Sequence, residues 1–398
     1  MDQDLRSNQI IEITDSFPWY MGKSLILFSK VMIVMKKILV VILALTLSLS
    51  LPLSATASSD PMQTKQVRLQ GNTRYETAIS IANELAKQHS IDFSAGQTFD
   101  NVVLASGNNF PDALAGASLA NQYDAPILLV DSTPEASSTT FDYIDTHVNK
   151  DGKVFLLGGT GVIPYSFTDK LISMGFYAPN IQQLGGKDRN ETSLIISKRL
   201  LNPFHEAILV SDSIFADALT FASFAASGAS PILLVSSTGL TADQKSFIDT
   251  INNVYIIGAL APKAKTIYPR ATGITGANKY DTNARWAKTS KNSAFIALAT
   301  GEDYPDALAG AVLLGSLDTD SRIIMTQPNQ LPSETVRALN VISYYDKQAY
   351  TYTNSQGQSV TLPAVMYPTL YIFGGSGAVS DSVQTQAAAI LDGPGYAK

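Results

Sequence analysis

Short polar side chains follow three apolar runs of the sequence, and each polar set ends in an aspartate. Groups of this kind hydrogen-bond sugar hydroxyls, but the same residue types also form turns and helix caps. Each aspartate could therefore contact a ligand or cap a helix. The three sets are Ser106, Asn108, Asn109 and Asp112; Ser211, Asp212, Ser213 and Asp217; and Thr300, Glu302, Asp303 and Asp306.

A base and an acid recur two residues apart in three places: Arg74 with Glu76, Arg189 with Glu191, and Lys279 with Asp281. Residues at this spacing do not meet on a helix face, so each side chain needs another partner. The arginines could grip anionic groups in bidentate fashion, or form structural bridges such as one from Arg74 to Asp112. The candidate ligand-binding residues are Arg74, Tyr75, Asn108, Asn109, Asp112, Arg189, Ser211, Asp217, Lys279, Tyr280 and Asp306.

The composition of the 398-residue chain excludes several classes of site. With no cysteine there are no disulfides or cysteine-liganded metals, and three histidines make a histidine-rich metal centre improbable. A net charge of −6 argues against nucleic-acid binding. Walker, G-x-S-x-G and H-E-x-x-H motifs are absent, and neither Gly159-Thr160-Gly161 nor Gly375-Ser376-Gly377 completes a dinucleotide loop. We expect no catalytic residue, no metal and no cofactor.

Four phrases recur in the same order three times along the chain, and their matching aspartates lie 105 and 89 residues apart. This spacing is too long for a solenoid and suits small tandem domains. It predicts three copies, residues 66–178, 179–270 and 271–398. The phrases are residues 69–77, 184–192 and 274–282; 110–114, 215–219 and 304–308; 125–130, 230–235 and a degenerate 322–325; and 154–159, 254–258 and 370–375.

The first copy alternates helical and strand patterns. Residues 73–86 have helical periodicity, whereas 101–105, 127–130 and 155–157 are short apolar runs typical of buried strands. Fully apolar strands separated by helices predict a three-layer α/β unit with a parallel sheet. In the third copy, residues 343–369 are rich in Tyr, Thr, Gln and Ser, which favours an inserted hairpin or a long loop.

Residues 1–57 have the pattern of a leader. Met35-Lys36-Lys37 precedes an uncharged run over 38–51, and small residues follow up to Ala57. This pattern is typical of a secretory signal peptide, and the run is shorter than a membrane helix needs. We expect a mature chain from about Ser58 that is exported and has no membrane span, although an uncleaved anchor is the alternative.

The repeated phrases resemble the cell wall binding repeat 2 family of Gram-positive surface proteins over residues 66–380. The resemblance implies three Toprim- or Rossmann-like units around a pseudo-threefold axis. It also implies a secreted, wall-located, non-catalytic anchor for an anionic, teichoic-acid-like polysaccharide of the cell wall. The family's I-L-L hallmark corresponds to Ile127, Leu128, Leu129, Ile232, Leu233 and Leu234, which we interpret as buried strands.

Two alternatives remain: a wall hydrolase or hydrolase modifier, and an adhesin or surface-layer component that contacts other surface-layer proteins. The third copy lacks the A-P-I-L-L phrase, and the second has Ala216 where the others have proline. The copies are therefore expected to bind unequally. Because chain and ligand are both acidic, binding needs local cationic pockets, neutral hydroxyl contacts or a bridging cation.

Overall fold

The computed structural model describes residues 63–108, 114–201, 205–289, 293–346, 350–353, 359–362 and 367–395. The leader, Asn109 and Asp112 lie outside the described residues. No helix in the described part of the chain is both long and apolar enough to span a membrane.

Three four-stranded parallel sheets form the framework, which confirms the predicted α/β class with three parallel-sheet units. Their orders are β3-β2-β4-β5, β7-β6-β8-β9 and β11-β10-β14-β1. The strands are β1 (Gln66–Leu69), β2 (Val102–Ser106), β3 (Ile127–Val130), β4 (Val154–Leu157), β5 (Ile181–Leu184), β6 (Glu206–Ser211), β7 (Ile232–Val235), β8 (Asn253–Ile257), β9 (Thr272–Ile274), β10 (Phe295–Thr300), β11 (Arg322–Thr326) and β14 (Thr369–Phe373).

Helices alternate with these strands. They are α1 (Arg74–Gln88), α2 (Gly116–Gln122), α3 (Ser138–His147), α4 (Tyr165–Ser173), α5 (Arg189–Ser197), α6 (Phe215–Ser227), α7 (Ala242–Ile248), α8 (Ala264–Ile267), α9 (Lys279–Ala287), α10 (Pro305–Leu317), α11 (Ser333–Asp346) and α12 (Asp381–Asp392). The equivalent helices α2, α6 and α10 contact one another and join the three copies. Apolar residues of all three copies share one buried cluster around them.

The strand that opens each copy pairs in the sheet of the preceding copy. Thus β5 completes the first sheet, β9 the second and β1 the third, where it lies beside β14. The helix after each opening strand contacts its own copy's sheet instead, as α1 contacts β3. Each opening phrase therefore crosses from one sheet to the next, and the first phrase closes the ring.

Arg68 fastens the closing strand β1 to the end of the chain. Its guanidinium donates to the carbonyls of Gly374 (3.0 Å) and Val379 (2.8 Å) and pairs with Asp381 at 3.0 Å. The backbone N–H of Thr64 donates to Asp392 at 2.7 Å. The two ends of the described chain are thus held together by charged groups.

Aromatic and charged side chains also connect neighbouring copies. The ring of Trp286 stacks on Phe221 with centroids 4.0 Å apart, and the buried guanidinium of Arg322 lies 4.9 Å from the Trp286 ring. Between the first and third copies, the Tyr371 hydroxyl donates to Glu84 at 3.2 Å. Trp286 thus packs between the second and third copies.

The six I-L-L hallmark residues lie in β3 and β7, and each is at most 1% exposed. A ligand cannot reach them directly. In the third copy, α11 extends through Asp346, beyond the start of the segment 343–369. Within that segment, β12 (Tyr350–Thr353) and β13 (Ser359–Leu362) pair antiparallel.

Candidate functional site

The acid and threonine of each opening phrase stabilise the turn before a helix. In the first copy, the Glu76 carboxylate accepts from the backbone N–H groups of Asn72 and Thr73, and Thr77 Oγ1 accepts from Gly71 N at 3.1 Å. Two of these bonds, the equivalents of Asn72 N to the acid and of Gly71 N to the threonine, recur in the second and third copies. A side chain at Gly71 would collide with Glu76. These recurring residues are explained by turn geometry.

The base of each opening phrase binds the loop that follows the second strand of its own copy, β2, β6 or β10. Arg74 donates to the carbonyl of Gly107, Arg189 donates to the carbonyl of Asp212 at 2.6 Å, and Lys279 lies 3.0 Å from Glu302. Each base thus has the partner outside its own phrase that the sequence required. Arg74 alone of the three reaches a described carboxylate of another copy, Asp303, at 3.4 Å.

The hydroxyls of the candidate residues Tyr75 and Tyr280 donate to carboxylates in loops of their own copy. The Tyr75 hydroxyl donates to Asp131 at 2.8 Å, and burial raises the pKa of Tyr75 to about 12. Asn108 donates to the same carboxylate at 2.9 Å. Tyr280 donates to Glu302.

Each of these rings packs over a glycine, Gly107 or Gly301. The second copy has Asn190 in place of the tyrosine and Asp212 in place of the glycine. Ring and glycine thus change together, because the ring needs a position without a side chain beneath it.

The two described aspartates of the strand-end sets differ in their surroundings. Asp217 is 4% exposed and accepts from Ala259 N at 3.0 Å. The Asp306 carboxylate has no hydrogen bond or ion pair to any described residue. Burial raises the pKa of each carboxyl to about 6; for Asp306 the negative charge of Asp303 adds to the rise and Arg74 opposes it.

A cavity of about 640 Å³ opens where the third copy meets the first, beyond the carboxyl ends of β1, β10 and β14. We call it the open cavity. Its lining includes Asn72, Arg74, Asp303, Asp306 and the loop Gly375–Gly377. Ligands of parallel α/β sheets bind at this end of the strands, and the volume is in the range of ligand pockets.

Of the candidate residues, Arg74 and Asp306 line the open cavity. The other described candidates contact loops of their own copy instead. They are Tyr75, Asn108, Arg189, Ser211, Asp217, Lys279 and Tyr280. Sequence reasoning left Asn72 and Ser376 out of the candidates. No local pattern pointed to them, because it is the crossing of β1 into the third sheet that places these two phrases side by side.

Metal binding has no support in the described part of the chain, where no group of three or more His, Cys, Asp or Glu residues is placed to hold an ion. The open cavity contains two carboxylates, of Asp303 and Asp306, beside one guanidinium. The two carboxylates can accept hydrogen bonds from a ligand, and the side chains of Asn72 and Ser376 can donate to it.

Three segments of the chain, residues 68–168, 183–261 and 274–384, match the family described as cell wall binding domain 2 (CWB2). Together they cover more than half of the sequence. The matched segments correspond to the three recurring units of the sequence.

Curated and solved relatives are longer proteins. N-acetylmuramoyl-L-alanine amidase LytC of Bacillus subtilis (strain 168) is 26% identical over 252 residues, 62% of this chain and 47% of that protein. The amidase enhancer of the same organism is 27% identical over 292 residues, 72% of this chain and 37% of that protein. The chain therefore spans less than half of the length of either curated relative.

The structures of Cwp8 and Cwp6 from Clostridium difficile share the fold. Cwp8 has a TM-score of 0.68 at 21% identity, covering 83% of this chain and 52% of its own. Cwp6 has a TM-score of 0.67 at 21% identity, covering 84% of this chain and 49% of its own.

Proposed function

Because the chain belongs to the cell wall binding domain 2 family, we propose that it is a non-catalytic module that anchors an exported protein by binding an anionic secondary polymer of the cell wall. Membership of the family makes the chain a cell-wall or cell-surface protein. The polymer, its charge and the absence of catalysis are the steps that the proposal adds.

The observation that carries the proposal is the open cavity at the junction of the third and first copies. It is polar, it lies at the end of the sheet where α/β proteins bind ligands, and it exists because β1 closes the ring. Arg74 and Asp306 are the polymer contacts that this geometry supports best. The remaining candidates, among them Asn109 and Asp112 outside the described residues, stay proposals.

The described contacts bear on how an acidic chain holds an acidic polymer. The bases Arg74, Arg189 and Lys279 are each engaged by loop oxygens of the protein. Gripping polymer phosphates would require these bonds to be shared or broken. Hydrogen bonds to neutral hydroxyls of the polymer therefore have more support than ion pairs between these bases and its phosphates.

Co-sedimentation with wall sacculi tests the proposal. The purified protein is incubated with sacculi before and after chemical removal of the anionic polymer, and the pelleted fraction is measured. We expect pelleting with intact sacculi and loss of pelleting after removal. Equal pelleting with both preparations would contradict polymer binding.

A role in wall hydrolysis is the second candidate, since the two curated relatives are named as an amidase and an amidase enhancer. The shared segment covers less than half of each of them, so their activities need not reside in it. A zymogram on peptidoglycan, with and without an added amidase, measures both turnover by the protein and stimulation of the amidase. Clearing by the protein alone, or more clearing by the amidase with the protein than without it, would replace the anchoring proposal.

A further inference from the structure

The third–first and second–third junctions between copies are not equivalent. The open cavity lies at the third–first junction, formed by residues 70–74, 303–306 and 375–377. Its counterpart, the second–third junction, is formed by residues 275–279, 214–217 and 259–261. Alignment of the copies pairs each lining residue of one junction with a residue of the other.

Three polar side chains that line the open cavity are replaced by apolar ones in the counterpart junction: Asn72, Asp303 and Ser376 correspond to Ala277, Ile214 and Leu260. The other polar lining residues stay polar, and Asp306 keeps its type, as Asp217. Leu260 is 7% exposed and belongs to the second copy's own apolar cluster. The second–third junction thus lacks three of the hydrogen-bonding side chains that line the open cavity.

The retained aspartate of the second–third junction is engaged. Residues Gly258–Lys263 form a short 3-10 helix that contacts β9, and its Ala259 N–H donates to Asp217. In the third copy the equivalent loop Gly375–Gly377 leaves the Asp306 carboxylate without a hydrogen-bond partner among the described residues. A ligand in the open cavity can donate to Asp306, whereas Asp217 is 4% exposed, packs against Gly258 and already accepts a backbone donor.

The charges around the open cavity select the kind of ligand. Two carboxylates, Asp303 and Asp306, stand beside one arginine, and Arg74 already binds Gly107 and Asp303. A phosphate would meet net negative charge, whereas sugar hydroxyls donate to carboxylates and also pair with the amide of Asn72.

We infer that the open cavity binds an uncharged, hydroxyl-rich glycosyl residue of the wall polymer, and that the second–third junction binds none. The inference rests on the proposed function and adds to it the ligand chemistry and the inequality of two junctions. The polymer's anionic groups then lie outside the cavity.

A matched pair of substitutions tests the inequality. Asn72→Trp places a large ring at the mouth of the open cavity, and Ala277→Trp places the same ring at the equivalent, also exposed position of the second–third junction. Both residues use only their backbone N–H in the turn, so both variants keep those bonds. Urea midpoints confirm that both variants fold.

Affinity for polymer-bearing sacculi is then measured for both variants and for the unsubstituted protein. We expect at least a tenfold loss for Asn72→Trp and less than a twofold change for Ala277→Trp. Equal losses, or no loss for Asn72→Trp, would overturn the inference while leaving polymer binding itself intact. Failure of the unsubstituted protein to bind would remove the proposed function and this inference together.

Competition identifies the chemistry. Oligosaccharides prepared from the stripped polymer, with their phosphate groups removed, are compared with inorganic phosphate as competitors for polymer-bearing sacculi. Displacement by the neutral oligosaccharides and not by phosphate at the same concentration supports the inference. Displacement by phosphate alone, or by neither competitor, overturns it.

Discussion

Asp217 and Asp306 hold the same place in the second and third copies, but of the two only Asp217 accepts a hydrogen bond from a described residue, the N–H of Ala259. The loops beside them differ: the loop after β8 forms a 3-10 helix, whereas the loop after β14 keeps Gly375 and Gly377. One aspartate is thereby a structural acceptor and the other faces a cavity.

Stability should depend on pH through Asp217. Burial raises the pKa of this carboxyl to about 6, above the value of about 4 in the unfolded chain. The folded protein therefore keeps a proton that the unfolded chain has lost, and stability falls as pH rises from about 4 to about 6. Asp217→Asn removes this effect. Relative to the unsubstituted protein, its free energy of unfolding in urea should therefore rise by about 2 kcal/mol from pH 4 to pH 7.

The control for this pH series is Asp142→Asn, which removes one carboxylate from an exposed position of α3. It should not reproduce the pH-dependent gain. A difference between Asp217→Asn and the unsubstituted protein that stays constant over this range would show that Asp217 is not the titrating group.

Arg74 should contribute more to stability than an ordinary surface arginine. Arg74→Ala removes a charge-assisted bond to the Gly107 carbonyl, and we expect a loss of about 2 kcal/mol in unfolding free energy. Arg285→Ala removes an exposed guanidinium that pairs with Asp281 within one helix and should cost less than about 0.5 kcal/mol. Denaturant unfolding measures both losses. Equal losses would show that Arg74 contributes no more to stability than a surface arginine.

Ring closure should depend on Arg68. Arg68→Ala removes donors to Gly374, Val379 and Asp381, so β1 should open more readily from β14. Hydrogen-exchange mass spectrometry should then show faster exchange in peptides that contain Gln66–Leu69. Lys65→Ala, an exposed neighbour, serves as the control. Unchanged exchange in the Arg68 variant would mean that strand pairing alone holds β1.

The hallmark strands should act through folding. Leu233→Ala opens a cavity in a fully buried strand and should cost about 2 to 5 kcal/mol, whereas Leu201→Ala, at a 62% exposed residue, should cost little. Wall binding by the Leu233 variant should follow the folded fraction as temperature is varied. Loss of binding by a variant that is fully folded would assign the leucine a direct contact instead.

The sequence predicted the strands and helices well, because buried parallel strands are continuous apolar runs such as Ile127–Val130. It did not predict that β1 pairs with β14, since a partner about 300 residues away leaves no local pattern. For the same reason it did not bring Asn72 and Asp303 together. The sequence also did not identify the partners of Arg74 and Lys279, because several carboxylates and carbonyls could have accepted their hydrogen bonds.

Release of a bound reporter by free polymer tests the anchoring account most directly. The protein is fused to a fluorescent protein, bound to polymer-bearing sacculi, and washed with either the stripped polymer or soluble peptidoglycan fragments. The account predicts that the free polymer releases the fusion and that the peptidoglycan fragments do not. Release by peptidoglycan fragments, with the fusion retained in excess free polymer, would contradict it.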